Sequence, residues 1–343
     1  MRHTCKTILA LLLAVALASS AAAASRRRRP RAKYRFKIAT IAPDGSAWVT
    51  AFNAMRDEIL EATDGNVGFK AYPGGVLGEE KDVLYKIKVG QVQGGGFLGF
   101  GISRICPDSR AMMLPLLFES YEEVDAVFAK IRPYLEKQCR QNGYVALGWT
   151  EVGFSYLYST EPVRNLADLR GAKPWAIAGD RIIEELFRAG KISGIPVSVG
   201  DVLIGLQTGL IKTVYSPPLA AVATQWFTRV KYRNSIRLTY SLGGVFVSEK
   251  AWHRIPANLR QPVLDITHRY MSELTRQVRA SNEEALAVMA KNDIDVVTPS
   301  DAELDEYRAI SARALARLRG DVFSEQAYDL VRKHLDAARA AAK

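Results

Sequence analysis

The sequence is poor in the residue types that most often build metal sites and catalytic nucleophiles. Its 343 residues include only three cysteines and four histidines, and no Cys/His spacing matches a zinc site. His253, His268 and His334 lie in the C-terminal third, away from any glycine-rich loop. No G-x-S-x-G nucleophile elbow occurs. We therefore predict no metal, no cofactor and no enzyme activity.

Long apolar runs are also scarce, and the one that is present stands at the N-terminus. Arg2 and Lys6 precede an apolar run at 8–18, and small residues at 21–24 follow it. This is the three-part pattern of a cleavable secretory signal, and it is too short for a good membrane span. We predict a signal peptide at residues 1–24 and a periplasmic mature protein.

A run of arginines follows the signal directly, within residues 26–31. Positive charge on this side of an apolar segment resists translocation, so an uncleaved anchor is the alternative. We interpret residues 25–33 as a solvated basic linker. The formal net charge is +11, but the other basic residues are scattered without interleaved aromatics, so nucleic-acid binding is not predicted.

Cys106 and Cys139 remain once the predicted signal peptide is removed. Cysteines can pair in an oxidising compartment, but the sequence does not place these two within disulfide reach. A disulfide and two buried thiols therefore stay open as alternatives.

The hydrophobic periodicity predicts two α/β units. A strand at 34–41 precedes a helix with Trp48, Phe52, Met55 and Ile59 on one face, and another strand and helix follow. This order predicts a largely parallel sheet. Two separate strands are predicted at 144–149 and 154–158, after which the alternation restarts. A helix at 256–291 is longer than one small domain needs and is predicted to span both units.

Gly94 to Gly99 formally match G-x-G-x-x-G. A dinucleotide site requires a strand before this motif and a helix after it, whereas here a predicted helix precedes it and a poor helix start follows. We interpret the segment as a glycine-rich strand and loop whose backbone passes close to the other domain or to a ligand.

Aromatic and polar residues collect at the predicted strand ends and helix starts, where ligands of α/β proteins bind. Aromatic side chains are as common in cores as in pockets, so each has a structural alternative. The predicted ligand-binding residues are Trp48, Phe97, Trp149, Glu151, Phe154, Trp175, Asp180, Tyr215 and Ser216.

Five short segments in series resemble the substrate-binding proteins of TRAP transporters, the DctP family. They are YPGGVLG at 72–78, LPLLF at 114–118, NLADLRGAK at 165–173, LQTG at 206–209 and VSEKAW at 247–252. The resemblance extends over roughly residues 34–320. Each segment is weak alone, and the ordered series is what makes the resemblance specific.

The resemblance implies a two-lobed α/β fold of the periplasmic-binding-protein type, with a ligand cleft between the lobes and a long helix spanning them. It implies delivery of a small organic ligand to membrane permease subunits, and a monomer as the default. Chain crossings near 150 and 240 follow from it. We assign 34–150 with 240–255 to lobe I, 151–239 with 256–312 to lobe II, and 313–343 to a C-terminal helical tail.

One position departs from the family pattern. The family usually has an arginine two residues after the lysine of its N-x-x-DL-x-G-x-K run, where it grips the ligand's carboxylate, and here that position is Trp175. Without this planar fork, bidentate carboxylate recognition is lost. We therefore predict a relatively apolar or aromatic ligand.

Two alternatives to an apolar ligand stay open. In the first, the ligand is an acid whose charge is held by Lys173, Arg181, Arg104 or Lys212, while Glu151 and Asp180 meet hydroxyls or amines. In the second, Trp175 closes the cleft and the protein binds no small molecule. The predicted function is the extracytoplasmic solute receptor of a TRAP-type secondary transporter, and the alternative function is a sensory or carrier module that uses the same cleft.

Overall fold

The computed structural model describes residues 32–342, which form a mixed α/β structure. The predicted signal peptide and residues 25–31 of the predicted linker lie outside these residues. The strands are β1 Tyr34–Ala39, β2 Val67–Tyr72, β3 Gly94–Leu98, β4 Tyr144–Ser159, β5 Trp175–Ala176, β6 Ile195–Pro196, β7 Thr213–Ser216, β8 Tyr232–Asn234, β9 Thr239–Ser248 and β10 Asp295–Val297.

The helices occupy the segments between and after these strands. They are α1 Ala47–Ala62, α2 Glu80–Lys88, α3 Gly99–Ile105, α4 Tyr121–Gln141, α5 Leu166–Gly171, α6 Arg181–Gly190, α7 Val202–Gln207, α8 Pro218–Ala223, α9 Glu249–Trp252, α10 Ala257–Lys291, α11 Asp301–Leu318 and α12 Glu325–Ala341. Short 3-10 segments lie at Pro107–Met113, Val199–Asp201 and Trp226–Arg229. Within residues 32–342, none of the helices is both long enough and apolar enough to cross a bilayer.

The main sheet is mixed rather than largely parallel. Its strand order is β10-β8-β4-β9-β3-β1-β2, and β7 also pairs with β4. The strands β1, β2 and β3 are parallel as predicted, but β9 runs antiparallel to both β3 and β4. The difference arises because β9 returns from the second unit and inserts between two strands of the first.

The two strands predicted at 144–149 and 154–158 are one strand, β4. Its register against β9 shifts between Ala146 and Gly148 and again between Glu151 and Gly153. Such bulges bend a strand without ending it, and Gly153 has the positive φ of 100° that glycine tolerates. β4 therefore pairs with β9 along most of its length and continues into lobe II, where it pairs with β7 and β8.

The predicted long helix is confirmed as α10, which follows Pro256 and contains Pro262 in its second turn. It packs against α1 and β4 on one side and against α8 further along, and so it contacts both lobes. Asn282 of α10 donates to the Val152 carbonyl oxygen (3.0 Å) and accepts from the Leu219 amide (3.0 Å). These buried bonds tie the helix to the point where β4 bends.

The C-terminal segment returns to lobe I. α11 packs against α6 of lobe II, whereas α12 packs against α4 and the Pro107–Met113 segment of lobe I. The connector at 319–324 therefore crosses from one lobe to the other. It is held by Ser324, whose amide donates to the buried Asp108 carboxylate (2.6 Å). The predicted boundary at 312 falls inside α11.

Candidate functional site

A cavity of about 410 Å³ lies where the two lobes and the C-terminal connector meet. Its wall from lobe I is the α3 helix and the 3-10 segment after it, and its wall from lobe II is the start of α6. The lining residues are Phe100, Ser103, Arg104, Pro107, Arg110, Gly179, Asp180, Arg181, Asp321 and Val322. Because residues of both lobes line it, the cavity occupies the position expected of the ligand cleft.

The glycine-rich segment at 94–99 leads directly into the α3 helix that forms part of the lobe I wall. Glu80 is buried, and its carboxylate accepts from the backbone amides of Leu98 and Gly101 at the start of α3. Burial raises the pKa of Glu80 to about 7, against the opposing effect of these two hydrogen bonds. The close approach predicted for this segment is to the protein's own side chains, since Gly96 lies directly beside the Trp48 ring.

A buried ion pair joins the two lobes at the cavity. Arg110, in the 3-10 segment, donates through Nη2 to Oδ1 of Asp180. The Arg110 side chain is 8% exposed and the Asp180 side chain 15%. Asp180 is also the N-cap of α6, because Oδ1 accepts from the Ile182 amide (3.1 Å). Its carboxylate is therefore fixed from two sides.

The remaining charges at the cavity are more exposed. Arg181 pairs with Asp321 of the connector at 2.6 Å. Arg104 lies over the Phe100 ring, 5.4 Å from its centroid, and has no ion-pair partner within residues 32–342. The lining therefore carries three guanidinium groups and two carboxylates, which leaves one positive charge without a counter-ion.

Trp175, Tyr215 and Asp180, all predicted site residues, form one contiguous group. The Trp175 ring stacks on the Tyr215 ring with centroids 5.1 Å apart, and it contacts the Trp226 ring at 5.3 Å. Its Nε1 donates to the Val197 carbonyl oxygen (2.8 Å). Burial raises the pKa of Tyr215, and the nearby Asp180 charge raises it further. Of these three residues only Asp180 lines the cavity, and Trp175 and Tyr215 are both buried.

Other predicted site residues pack in the interior of the protein. Phe97 and Trp149 both contact the Phe246 ring, at centroid distances of 6.3 and 5.0 Å. Trp48 is half-buried and stacks on Phe52 at 5.4 Å. The Ser216 hydroxyl donates to the Pro217 carbonyl oxygen. None of Trp48, Phe97, Trp149 and Ser216 lines this cavity.

Glu151 and Phe154 belong to a separate polar and aromatic cluster at the bend of β4. Glu151 accepts from Nε and Nη2 of Arg279 (3.0 and 2.8 Å) and from the Tyr240 hydroxyl (2.9 Å). Arg279 also donates to both carboxylate oxygens of Asp125 (2.8 and 2.7 Å). Phe154 packs against Tyr240, with centroids 5.6 Å apart. We call Glu151, Arg279, Asp125, Tyr240 and Phe154 the hinge cluster. Both carboxylate oxygens of Glu151 already accept hydrogen bonds from protein donors.

Arg110 is the most buried of the charged cavity residues, and the sequence analysis did not name it. It stands in a segment of mostly apolar residues and has no acidic partner nearby in sequence, because Asp180 lies 70 positions away. Its only sequence signal is an arginine within a buried run, which hydrophobic periodicity treats as an interruption. Arg104 and Arg181, which the sequence offered as alternative charge carriers, both line the cavity.

Residues 38–321 match the family described as bacterial extracellular solute-binding protein, family 7 (DctP). The match spans both lobes, the cleft and the first half of the connector. The chain belongs to this family. Its predicted two-lobed α/β fold is confirmed, and the family is described as one of solute-binding proteins.

Individual DctP-family relatives are distant. A solute-binding protein of Chromohalobacter salexigens is 21% identical over 265 residues, 77% of each chain. The C4-dicarboxylate-binding periplasmic protein DctP of Rhodobacter capsulatus is 25% identical over 261 residues, 73% of this chain and 75% of the relative.

Solved structures of TRAP periplasmic solute-binding proteins share the fold. One from Ochrobactrum anthropi has a TM-score of 0.81 at 22% identity, covering 90% of this chain and 97% of the other. An extracytoplasmic solute receptor from Bordetella pertussis that binds pyroglutamic acid has a TM-score of 0.79 at 22% identity, covering 88% and 99%.

Proposed function

We propose that this DctP-family protein is the extracytoplasmic receptor of a TRAP-type secondary transporter. It binds a small organic acid with an apolar or aromatic body between its lobes and delivers it to a membrane permease. The observation that carries the proposal is the excess of guanidinium groups at the interlobe cavity, where Arg104 has no counter-ion among the described residues. An anionic ligand supplies the missing charge.

The surroundings of Arg104 support an acid with an apolar body. Phe100, Pro107 and Val322 provide carbon surface beside the guanidinium groups. Arginine recognises carboxylates through paired donors, and aromatic faces bury the body of a ligand. The relatives from Rhodobacter capsulatus and Bordetella pertussis are described as binding a C4-dicarboxylate and pyroglutamic acid, both of which are organic acids.

Trp175 stands where the family usually has an arginine, so another basic residue has to hold an acid ligand. This is the first of the two alternatives that the sequence left open. Lys173 and Lys212 are committed elsewhere, to the Gly209 carbonyl oxygen (3.2 Å) and to Glu161 (2.6 Å). Arg104 and Arg181 both line the cavity, but Arg181 is paired with Asp321, so Arg104 is the group that we assign to the ligand's carboxylate.

A thermal-shift screen of the secreted protein tests ligand class. The panel pairs benzoate, phenylacetate, pyroglutamate and orotate with their neutral amides. An acid at 100 times its dissociation constant is expected to add about 2.7 kcal/mol to stability, while its amide adds much less. Arg104→Gln is expected to weaken acid binding, and Arg276→Gln, on the exposed face of α10, is expected to leave it unchanged. Equal shifts from acids and amides would reject an acid ligand.

Delivery to a permease requires a separate measurement. Cells that lack this gene are expected to lose high-affinity uptake of the acid found in the screen, and the intact gene is expected to restore it. Uptake that is unaffected by the deletion would favour the sensory or carrier function instead.

A further inference from the structure

Asp180 is a carboxylate that the protein places inside its own ligand cleft. Its side chain lies at the cavity with 15% exposure, opposite Arg110, whose guanidinium is 8% exposed. If Arg110 served to bind the ligand's carboxylate, its guanidinium would have no carboxylate partner within the protein. Here the most buried guanidinium of the cavity is already neutralised by a residue of the other lobe.

We propose that Asp180 sets the charge of the ligand, so that the cleft accepts a monoanion and rejects a dianion of the same skeleton. The inference rests on the proposed function, since it concerns the same cleft. With Arg110 paired to Asp180 and Arg181 paired to Asp321, the charge of Arg104 alone remains for the ligand. One carboxylate satisfies it.

A second carboxylate on the ligand meets repulsion rather than a free guanidinium. Asp180 cannot turn away, because its Oδ1 is held by both Arg110 and the Ile182 amide. Like charges in a partly desolvated site repel more strongly than in water. Arg110 has no free acid-binding fork, because Nη2 serves Asp180 and Nη1 lies 3.8 Å from the Met113 sulfur. The buried pair of Asp180 and Arg110 therefore makes the cleft select against a second negative charge on the ligand.

Asp180→Asn is the variant that separates charge from shape. The amide keeps an oxygen that can accept from Ile182 and cap α6, but it removes the negative charge facing Arg110. Arg110 then becomes available to a second ligand carboxylate. A gained charge-assisted hydrogen bond corresponds to about a 10- to 100-fold change in affinity.

The experiment measures dissociation constants by titration calorimetry for three matched pairs: benzoate with isophthalate, phenylacetate with 1,3-phenylenediacetate, and hexanoate with adipate. The native protein is expected to prefer the monoacid in every pair that binds. Asp180→Asn is expected to shift the ratio about 10- to 100-fold towards the diacid. Asp321→Asn removes one negative charge at an exposed position and is expected to shift the affinity ratio less. Asp305→Asn, on the outer face of α11, is expected to leave the ratio unchanged.

Each outcome decides one of the two proposals. Acid binding with an unchanged ratio in Asp180→Asn overturns the role of Asp180 and leaves the receptor function standing. No binding of any acid to either protein overturns the proposed acid ligand, and this inference with it. If Asp180→Asn does not fold, Arg110→Gln replaces it: it leaves Asp180 without its partner and is expected to weaken both members of a pair, the diacid more.

Discussion

Arg110, which is buried, and Arg279, which is partly buried, both pair with carboxylates, and their surroundings differ. In the hinge cluster, Arg279 uses Nε, Nη1 and Nη2 on the carboxylates of Glu151 and Asp125, and its guanidinium covers the Tyr121 ring at 4.3 Å. At the cleft, Arg110 makes one ion pair, with Asp180, and lies beside a cavity. All three nitrogens of the Arg279 guanidinium donate to carboxylates, whereas only Nη2 of Arg110 does.

The difference separates a structural role from a ligand-handling role. Glu151 is 1% exposed, so water cannot replace Arg279 if that partner is removed. Asp180 borders a cavity that admits water, so its pair can be exchanged for solvent or for a ligand. An arginine–carboxylate pair therefore stabilises the bend of β4 in one place and takes part in ligand recognition at the cleft in the other.

The largest expected effect comes from removing Arg279. Arg279→Met leaves the Glu151 carboxylate buried with only the Tyr240 hydroxyl as partner, and such a loss costs about 3–5 kcal/mol. Urea unfolding followed by circular dichroism measures it. The double variant Arg279→Met/Glu151→Gln is expected to recover much of the loss, because no buried charge remains. A single variant as stable as the native protein would show that the cluster is not needed for rigidity.

Glu80 extends the comparison to a buried carboxylate that has backbone amides and no arginine. Burial raises its pKa to about 7 in the folded protein, above the ordinary value of 4.5. The folded state therefore binds more protons than the unfolded state between these values, and stability falls as the pH rises through this window. We expect Glu80 to remove roughly 1–3 kcal/mol between pH 5 and pH 8.

Urea midpoints at pH 5, 6, 7 and 8 measure this dependence. The dependence is expected to be flatter in Glu80→Gln, whereas Glu61→Gln, an exposed position on α1, is expected to follow the native curve. Parallel curves for the native protein and Glu80→Gln would mean that Glu80 stays charged throughout this range.

The cleft pair should contribute less than the hinge cluster. A double-mutant cycle with Arg110→Met and Asp180→Asn is expected to give a coupling of about 1–2 kcal/mol in urea unfolding, because the cavity lets water reach the partner that remains. Both single variants keep α6 capped, since the oxygen at position 180 is retained. A coupling as large as the loss in Arg279→Met would mean that the cleft pair is also structural.

Much of the fold was predictable because its signals are local. Ser46 and Ser300 cap the starts of α1 and α11 through bonds to backbone amides three residues on, and the length of α10 follows from an uninterrupted helical pattern. The single strand β4 was not predicted, because the bulge near Gly153 breaks the alternation that identifies a strand. A register shift is defined by the pairing between two strands, here β4 and β9, so it cannot be read from the sequence of β4 alone.

The site was less predictable than the fold. Asp180 was identified at a helix start, where caps and ligand groups both occur, but its partner Arg110 comes from the other lobe. Glu151 was identified as a polar residue between two predicted strands, yet Arg279 occupies it from 128 positions away. Aromatic residues such as Trp149 satisfy core and pocket patterns equally. Which of them lines a cleft depends on how the two lobes meet.

The exposed pair at the cleft mouth should have the smallest effect on stability. Arg181 and Asp321 are 51% and 57% exposed, and ion pairs of this kind contribute about 0–1 kcal/mol. Asp321→Asn is therefore expected to change the urea midpoint little, and added salt should remove any difference because exposed charges are screened. Asp305→Asn, in the exposed pair with Arg308 on α11, is the matched control. A loss above about 2 kcal/mol that persists in salt would place Asp321 with the structural carboxylates, and would mean that the connector holds the two lobes together rather than only bordering the cleft.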